Sequence, residues 1–283
     1  MRDKLIKVAL IGKTNAGKST LINYLVGEKI SIINKKINTT QESILGIKNI
    51  NNTQIIFYDT PGSNFLKTNK LSQKKLKINL WESIESVDFL IYLIDVLKYN
   101  FKEIEKDIIK ISEVNKPILL IFNKIDLIDN KKTLPMINEL NKINKIEEYF
   151  VISAKNYKGI DHFLNFLLNK SYFDQWIYNN NEITDKDDIF ISSECTRNSI
   201  LLYMHQEIPY NIKIINESFK FLKNNDLKIK QSIEINNYRY KGIILGKKGE
   251  NIKRIRENSQ NEIKNIFNCK VHLYLKVTVK NEK

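Results

Sequence analysis

The stretch Gly12-Lys13-Thr14-Asn15-Ala16-Gly17-Lys18-Ser19-Thr20, directly behind the apolar run LIKVALIG, constrains this chain more than any other feature. Glycine, four residues, then Gly-Lys-Ser is the spacing of a phosphate-binding loop, which needs a strand before it and a helix after it. The glycines let the backbone curl so that its N–H groups point inward, and the helix starting near Lys18 adds its positive end. Lys18 then neutralises β- and γ-phosphates, and the Ser19 hydroxyl ligates Mg²⁺.

The next 150 residues fit that demand. LIKVALIG, TQIIFYD, VDFLIYLID, PILLIFN and EYFVIS are β-rich runs separated by helical patterns: STLINYLVG, a Lys-rich stretch near 70 to 86, FKEIEKDIIKIS, LPMINELNKI and GIDHFLNFLLNK. Strands alternating with helices predict a doubly wound, mostly parallel α/β sheet over residues 1–170. In such sheets ligands bind beyond the carboxyl ends of the strands.

Three further strand ends carry candidate chemistry. Asp59-Thr60-Pro61-Gly62 follows the second run: Asp59 can reach Mg²⁺ through water, and the Gly62 N–H can meet the γ-phosphate. Asn123-Lys124-Ile125-Asp126 follows the fourth. A carboxylate at Asp126 accepts from both N1–H and the 2-amino group of guanine, donors that adenine lacks, so guanine is selected. Ser153-Ala154-Lys155 follows the fifth, a short loop for the guanine oxygen with Lys155 alongside the base.

Composition excludes other classes. The 283 residues are 42% hydrophobic and 28% charged, with no apolar run of the roughly 18 to 20 residues that a membrane span needs. The apolar start is too short for a signal peptide, so no export is expected. Cys195, Cys269 and the three histidines (His162, His205, His272) give neither a disulfide framework nor a zinc site, which fits a reducing cytoplasm. The net charge of +14 suggests an anionic partner, but only five of the 46 basic residues are arginine and Lys, Asn and Ile are inflated together, so distribution says more than the total. Residues 171–227 are net acidic, whereas 228–283 carry 14 basic against 5 acidic residues.

Residues 171–191, SYFDQWIYNNNEITDKDDIFI, have no sustained period and are expected to be a linker. Residues 192–283 then predict a small α+β domain: a helix, two alternating strands, a basic glycine turn with helices, and a last strand, KVHLYLKVTV. Its turn is Gly246-Lys247-Lys248-Gly249. Two glycines around two lysines permit close approach to a sugar–phosphate backbone, the arrangement of a KH grip on about four single-stranded nucleotides. Seven basic residues against Glu250 alone lie between Arg239 and Arg256, favouring RNA, with Ile244, Gly246, Lys247, Lys248, Gly249, Lys253 and Arg254 as the contact candidates.

The first four motifs, in this order, resemble the GTPases of the translation-factor-related class over residues 5–170. Asn15 matches the GxxNxGKS variant of the potassium-activated branch, which implies a K⁺ ligand beside the phosphates. In NTTQES, Thr40 resembles the switch threonine that ligates Mg²⁺, with Thr39 as the other choice; Lys18, Thr40 and Gly62 are then the catalytic candidates. Ser63 stands where Ras-type proteins carry the water-positioning Gln, which implies slow hydrolysis, on the order of 10⁻⁴ to 10⁻² s⁻¹. The rear domain resembles type II KH modules. A potassium-type GTPase followed by such a module resembles the Era-type family of bacterial ribosome-assembly GTPases end to end, including EITDKDDIF, EIPYNIKI and KVHLYLKVTVK. The resemblance implies a GTPase, acting as a monomer, that binds 16S rRNA near its 3′ end and helps the 30S subunit mature. It also implies a cytoplasmic protein with peripheral association at the inner membrane. Gln41 in place of an Arg and the short end after the last strand depart from the family pattern. Two rival readings are a GTPase serving RNA modification and an RNA chaperone with a vestigial nucleotide site. The tryptophans, other aromatics and histidines are expected to pack rather than bind, and Lys67 to Lys77 to form a solvated helix face.

Overall fold

A computed structural model describes residues 2–27, 44–60, 85–204 and 212–280. Thr39, Thr40, Gln41, Pro61, Gly62, Ser63, the lysines from Lys67 to Lys77, Trp81 and His205 lie outside the described residues. The chain divides into two units, Met1–Asp185 and Lys186–Lys283.

The first unit runs β1 (Lys4–Gly12), α1 (Lys18–Val26), β2 (Ile44–Ile50), β3 (Thr53–Asp59), β4 (Phe89–Asp95), α2 (Phe101–Ser112), β5 (Ile118–Asn123), α3 (Thr133–Leu140), β6 (Ile146–Val151), α4 (Ile160–Lys170) and β7 (Tyr172–Phe173). Strand order is β2-β3-β1-β4-β5-β6, and β3, β1, β4, β5 and β6 are parallel. Every residue of β4 and β5 is buried. That is why these segments read as unbroken apolar runs: helices cover both faces of a parallel sheet, leaving no solvated side to alternate with. One core layer joins Ile94, Leu120 and Phe122 to Ile104, Ile108 and Ile111 of α2. The helix sets this face by apolar spacing and starts at Asn100, whose side chain accepts from Glu103 N at 3.2 Å. Parallel register places Leu10 beside Asp59 and Asp95 beside Asn123, so the strand ends bearing the motifs share one edge.

Two features depart from the expected plan. An additional strand, β2, pairs antiparallel with β3 through a two-residue turn in which Asn51 adopts φ 54°. Asn is suited to such a left-handed turn position, so ILGIKNI-NN-TQIIFYD held a readable hairpin signal. The second departure is residues 171–191. Instead of a free linker, the stretch to Asp185 is fastened to the first unit, and Asp187 caps the next helix by accepting from Phe190 N at 2.7 Å. β7 pairs with Lys4 and Leu5 of β1, Ile47 N donates to Ile183 O at 2.9 Å, and the Trp176 indole donates to Asn52 O at 3.2 Å. At the centre sits Gln54, fully buried. Its Oε1 accepts from Ile177 N and Tyr178 N, both at 3.0 Å, and its Nε2 donates to Tyr178 O at 2.9 Å and Asn49 Oδ1 at 3.2 Å. An Asn- and Asp-rich composition conceals this fastening, because it runs through backbone groups that sequence pattern does not show.

The second unit contains α5 (Asp188–Tyr203), β8 (Ile212–Phe221), β9 (Leu227–Ile235), α6 (Arg239–Leu245), α7 (Glu250–Phe267) and β10 (Val271–Val279). The sheet order is β10-β9-β8, with β10 parallel and β8 antiparallel to β9. Helix, strand, strand, helix, helix, strand is the topology of a type II KH module. Its core sets Ile233 and Ile235 against Ile200, Ile244 and Ile255. Cys195 is buried, Cys269 is half-buried, and His272 Nε2 meets Asp226 Oδ2 at 2.7 Å across the strand ends. Among the described residues no helix is long and apolar enough to cross a membrane.

The Gln54→Leu substitution removes one buried acceptor and two buried donors while keeping the volume, leaving the Ile177 and Tyr178 amides unpaired. It should lower stability by about 2 to 4 kcal/mol, read by denaturant unfolding of the whole chain. A loss below about 0.5 kcal/mol would show that the segment does not depend on this amide.

Candidate nucleotide and nucleic-acid sites

The loop after β1 is shaped by crowding. Gly17 holds φ 102°, and a Cβ there would lie 2.3 Å from the Asn123 side-chain nitrogen, so only glycine fits. Gly17 also stands at the N-cap of α1 without any side-chain cap, so the first-turn N–H groups of that helix remain available to an anion. Lys18 folds back over the loop, its Nζ donating to Gly12 O at 3.0 Å and Lys13 O at 3.2 Å. Burial pulls its ammonium below the usual lysine range, with the Asp59 carboxylate opposing. A buried cation at a helix N-terminus that no side chain caps is what a polyphosphate satisfies. Lys13 instead turns outward to the Glu103 carboxylate on α2.

Ser19 Oγ donates to Asp59 Oδ2 at 2.9 Å, and Asp59 is fully buried. The hydroxyl and carboxylate named as Mg²⁺ candidates therefore converge, although they come from different strand ends. Thr60 is equally buried and ties the β3 end to β1, donating to Leu10 O at 2.5 Å. Its hydroxyl is thus a structural tether.

The base-side motifs interlock. Asn123 Nδ2 donates to Ala16 O at 2.8 Å, while its Oδ1 accepts from Lys124 N at 2.8 Å and Ala154 N at 3.0 Å. Lys124, at φ 69°, sends its Nζ to Asn15 O at 2.8 Å and Asp95 Oδ2 at 2.6 Å. Asp126 Oδ1 accepts from Ser153 Oγ at 2.6 Å, and that same hydroxyl accepts from Asn156 N at 3.0 Å. Ser153 and Ala154 are buried, whereas Lys155 is exposed. The structure thus joins the loop residues Asn15, Ala16 and Gly17 to Asn123 and Lys124, Asn123 to Ala154, and Asp126 to Ser153. Asp95 was not anticipated. It is the carboxyl-terminal residue of β4, a position the strand-end rule points to, but it has no motif around it.

In the second unit, Gly246 (φ 72°), Lys248 (φ 52°) and Gly249 (φ 79°) form a tight turn closed by Gly249 N donating to Gly246 O at 3.2 Å. It is braced by Asn251 Nδ2 donating to Ile243 O at 2.9 Å. Lys247, Lys248, Lys253 and Arg254 are all exposed, the last paired to Glu250 at 2.6 Å. Ile244 is fully buried with Ile200, Ile233 and Ile255, whereas the adjacent Ile243 is 49% exposed. Tyr238, grouped with packing aromatics in sequence, is 71% exposed with Lys241 Nζ 5.7 Å from its ring centre.

Comparison with known proteins agrees with this geometry. Residues 7–124 match the family described as 50S ribosome-binding GTPase, and residues 207–283 match the KH domain family. The GTPase Era of Ehrlichia ruminantium is 37% identical over 272 residues, covering 96% of this chain and 91% of that protein. The GTPase Era of Rickettsia bellii is 36% identical, covering 98% and 93%. A crystal structure of Era in complex with MgGDPNP and nucleotides 1506-1542 of 16S ribosomal RNA superposes with a TM-score of 0.88 at 33% identity, covering 99% of this chain and 95% of that one. A tyrosine-to-alanine variant of Aquifex aeolicus Era bound to GDP·AlF₄⁻ gives 0.90 at 32% identity with the same coverage. The chain is a GTPase, converting GTP to GDP and phosphate through a P-loop domain followed by a KH domain, and it belongs to the Era family.

Proposed function

We propose that this chain is a GTP-operated switch that binds 16S rRNA near its 3′ end and assists maturation of the 30S subunit. The observation that carries this reading is the interlocking of base and phosphate motifs in one unit with an exposed lysine turn between two glycines in the other. In this reading guanine lies against Asp126 and Ser153-Ala154-Lys155, and the phosphates lie in the Gly12–Thr20 loop beside Lys18. Ser19 directly and Asp59 through a water would hold Mg²⁺, whose preference for hard oxygen donors they suit. Thr40 and Gly62 complete the γ-phosphate sensing, and their ordering alters the grip of the KH unit on RNA. The Era–rRNA complex holding MgGDPNP supports the ligand set. Asn15 supplies a K⁺ ligand, hydrolysis is slow in the absence of a Gln after Gly62, and the protein works as a cytoplasmic monomer that associates peripherally with the inner membrane.

Guanine selection is tested by Asp126→Asn. Replacing the double acceptor should weaken GTP binding by roughly 10² or more while xanthine nucleotides, which present an oxygen in place of the 2-amino group, bind better than to the parent. Equal binding of GTP and ATP by the parent would refute the guanine assignment.

RNA binding is tested with a single-stranded 16S 3′-end fragment. Lys247→Ala with Lys248→Ala should lower the slope of log affinity against log salt by about 1.4, at about 0.7 per lost phosphate contact, with GTP turnover unaltered. An unchanged slope would place the RNA elsewhere. The Asn15 assignment is read from GTP turnover in KCl against NaCl: faster turnover in KCl, lost in Asn15→Ala, is the expected result, and identical rates would remove the potassium ion.

A further inference from the structure

Tyr24 of α1 and Tyr157 of the loop between β6 and α4 stack with ring centroids 4.2 Å apart and planes inclined by 20°. The two residues are 36% and 59% exposed, so the pair does not form to fill a core. Tyr157 also holds φ 63°, a left-handed conformation that a bulky side chain rarely adopts. Strain of this kind persists where the surroundings hold it, and it collects at functional loops.

The loop has a fastened half and a loose half. Ile152, Ser153 and Ala154 are buried and bound to Phe122, Asp126 and Asn123. Residues 155–159 are exposed. Their exit is fixed at Gly159, where a Cβ would lie 2.2 Å from Val151 O. Between these points, Asn156 N reaches Ser153 Oγ and Lys158 O accepts from Ser153 N, both bonds internal to the loop. The Tyr157 ring is what carries the loose half across to another element. That element is α1, whose first residue is Lys18.

We propose that the Tyr24–Tyr157 stack is a latch between the base loop and the phosphate-loop helix, and that it sets how long guanine nucleotide stays bound. Both tyrosines are positioning residues: they act through Ala154 and Lys155 on one side and through α1 on the other. The inference rests on the assignment of Asp126 and the 153–155 loop to guanine. In this proposal release draws the base loop away from α1, so the stack must break first and slows it. An exposed aromatic stack corresponds to a factor of about two to ten in such a rate.

The test uses the full chain loaded with a fluorescent GDP analogue and chased with excess GDP. Tyr157→Gly removes the ring and relieves the left-handed strain together, so folding is protected; Tyr24→Ala removes only the partner. Each should speed release about two- to tenfold, and the double variant should be no faster than the faster single one, because both remove the same contact. Tyr24→Phe and Tyr157→Phe keep the rings and should keep the parent rate. Unchanged release in both ring-deleted variants, multiplied effects in the double variant, or loss of the parent rate in the Phe variants would each overturn the latch. Failure of the guanine assignment would appear separately, in Asp126→Asn.

Discussion

The side chain of Asn123 is the interaction on which the nucleotide end of this molecule depends. One planar amide donates to Ala16 O and accepts from Lys124 N and Ala154 N, touching the phosphate loop, its own strand end and the base loop. Both its heteroatoms are used, and the residue is nearly inaccessible, so displacing it would leave several polar groups unsatisfied inside the protein. The same amide explains the glycine before Lys18, since it occupies the space that any Cβ at Gly17 would need. A requirement on the strand end thus becomes a requirement on the loop 106 residues earlier in the chain.

Much of this arrangement is legible in the sequence because parallel strands buried on both faces write themselves as continuous apolar runs, and polar residues at their ends stand out. Asp59, Asn123, Asp126 and Ser153 stand out by that contrast, and Lys18 and Ser19 by the glycine spacing before them. Asp95 is not, because its partner Lys124 is supplied by the register of β4 against β5, and register is invisible in a single segment. Gln54 is hidden for a related reason. A buried glutamine in TQIIFYD looks like a solvated strand position until the backbone that satisfies it is known.

The second unit shows the limit of short helices. YKGIIL offers two adjacent isoleucines within a seven-residue helix, too short for apolar periodicity to tell which faces inward. Packing on Ile200 and Ile255 decides for Ile244 and leaves Ile243 outside. The glycine turn beside it is legible because Gly246, Gly249 and the lysines announce themselves by type. The side chain that braces the turn, Asn251, does not.

The segment ending at Asp185 bears on how this protein can be dissected. A fragment stopped at Lys170, where the last helix of the first unit ends, would strip the amide of Gln54 of its main-chain partners and uncover the β2 and β1 backbone groups now paired with Ile183 and Phe173. Bare strand margins invite sticking to other chains. The natural scissor point lies instead between Asp185 and Lys186, in front of the aspartate that opens the following helix.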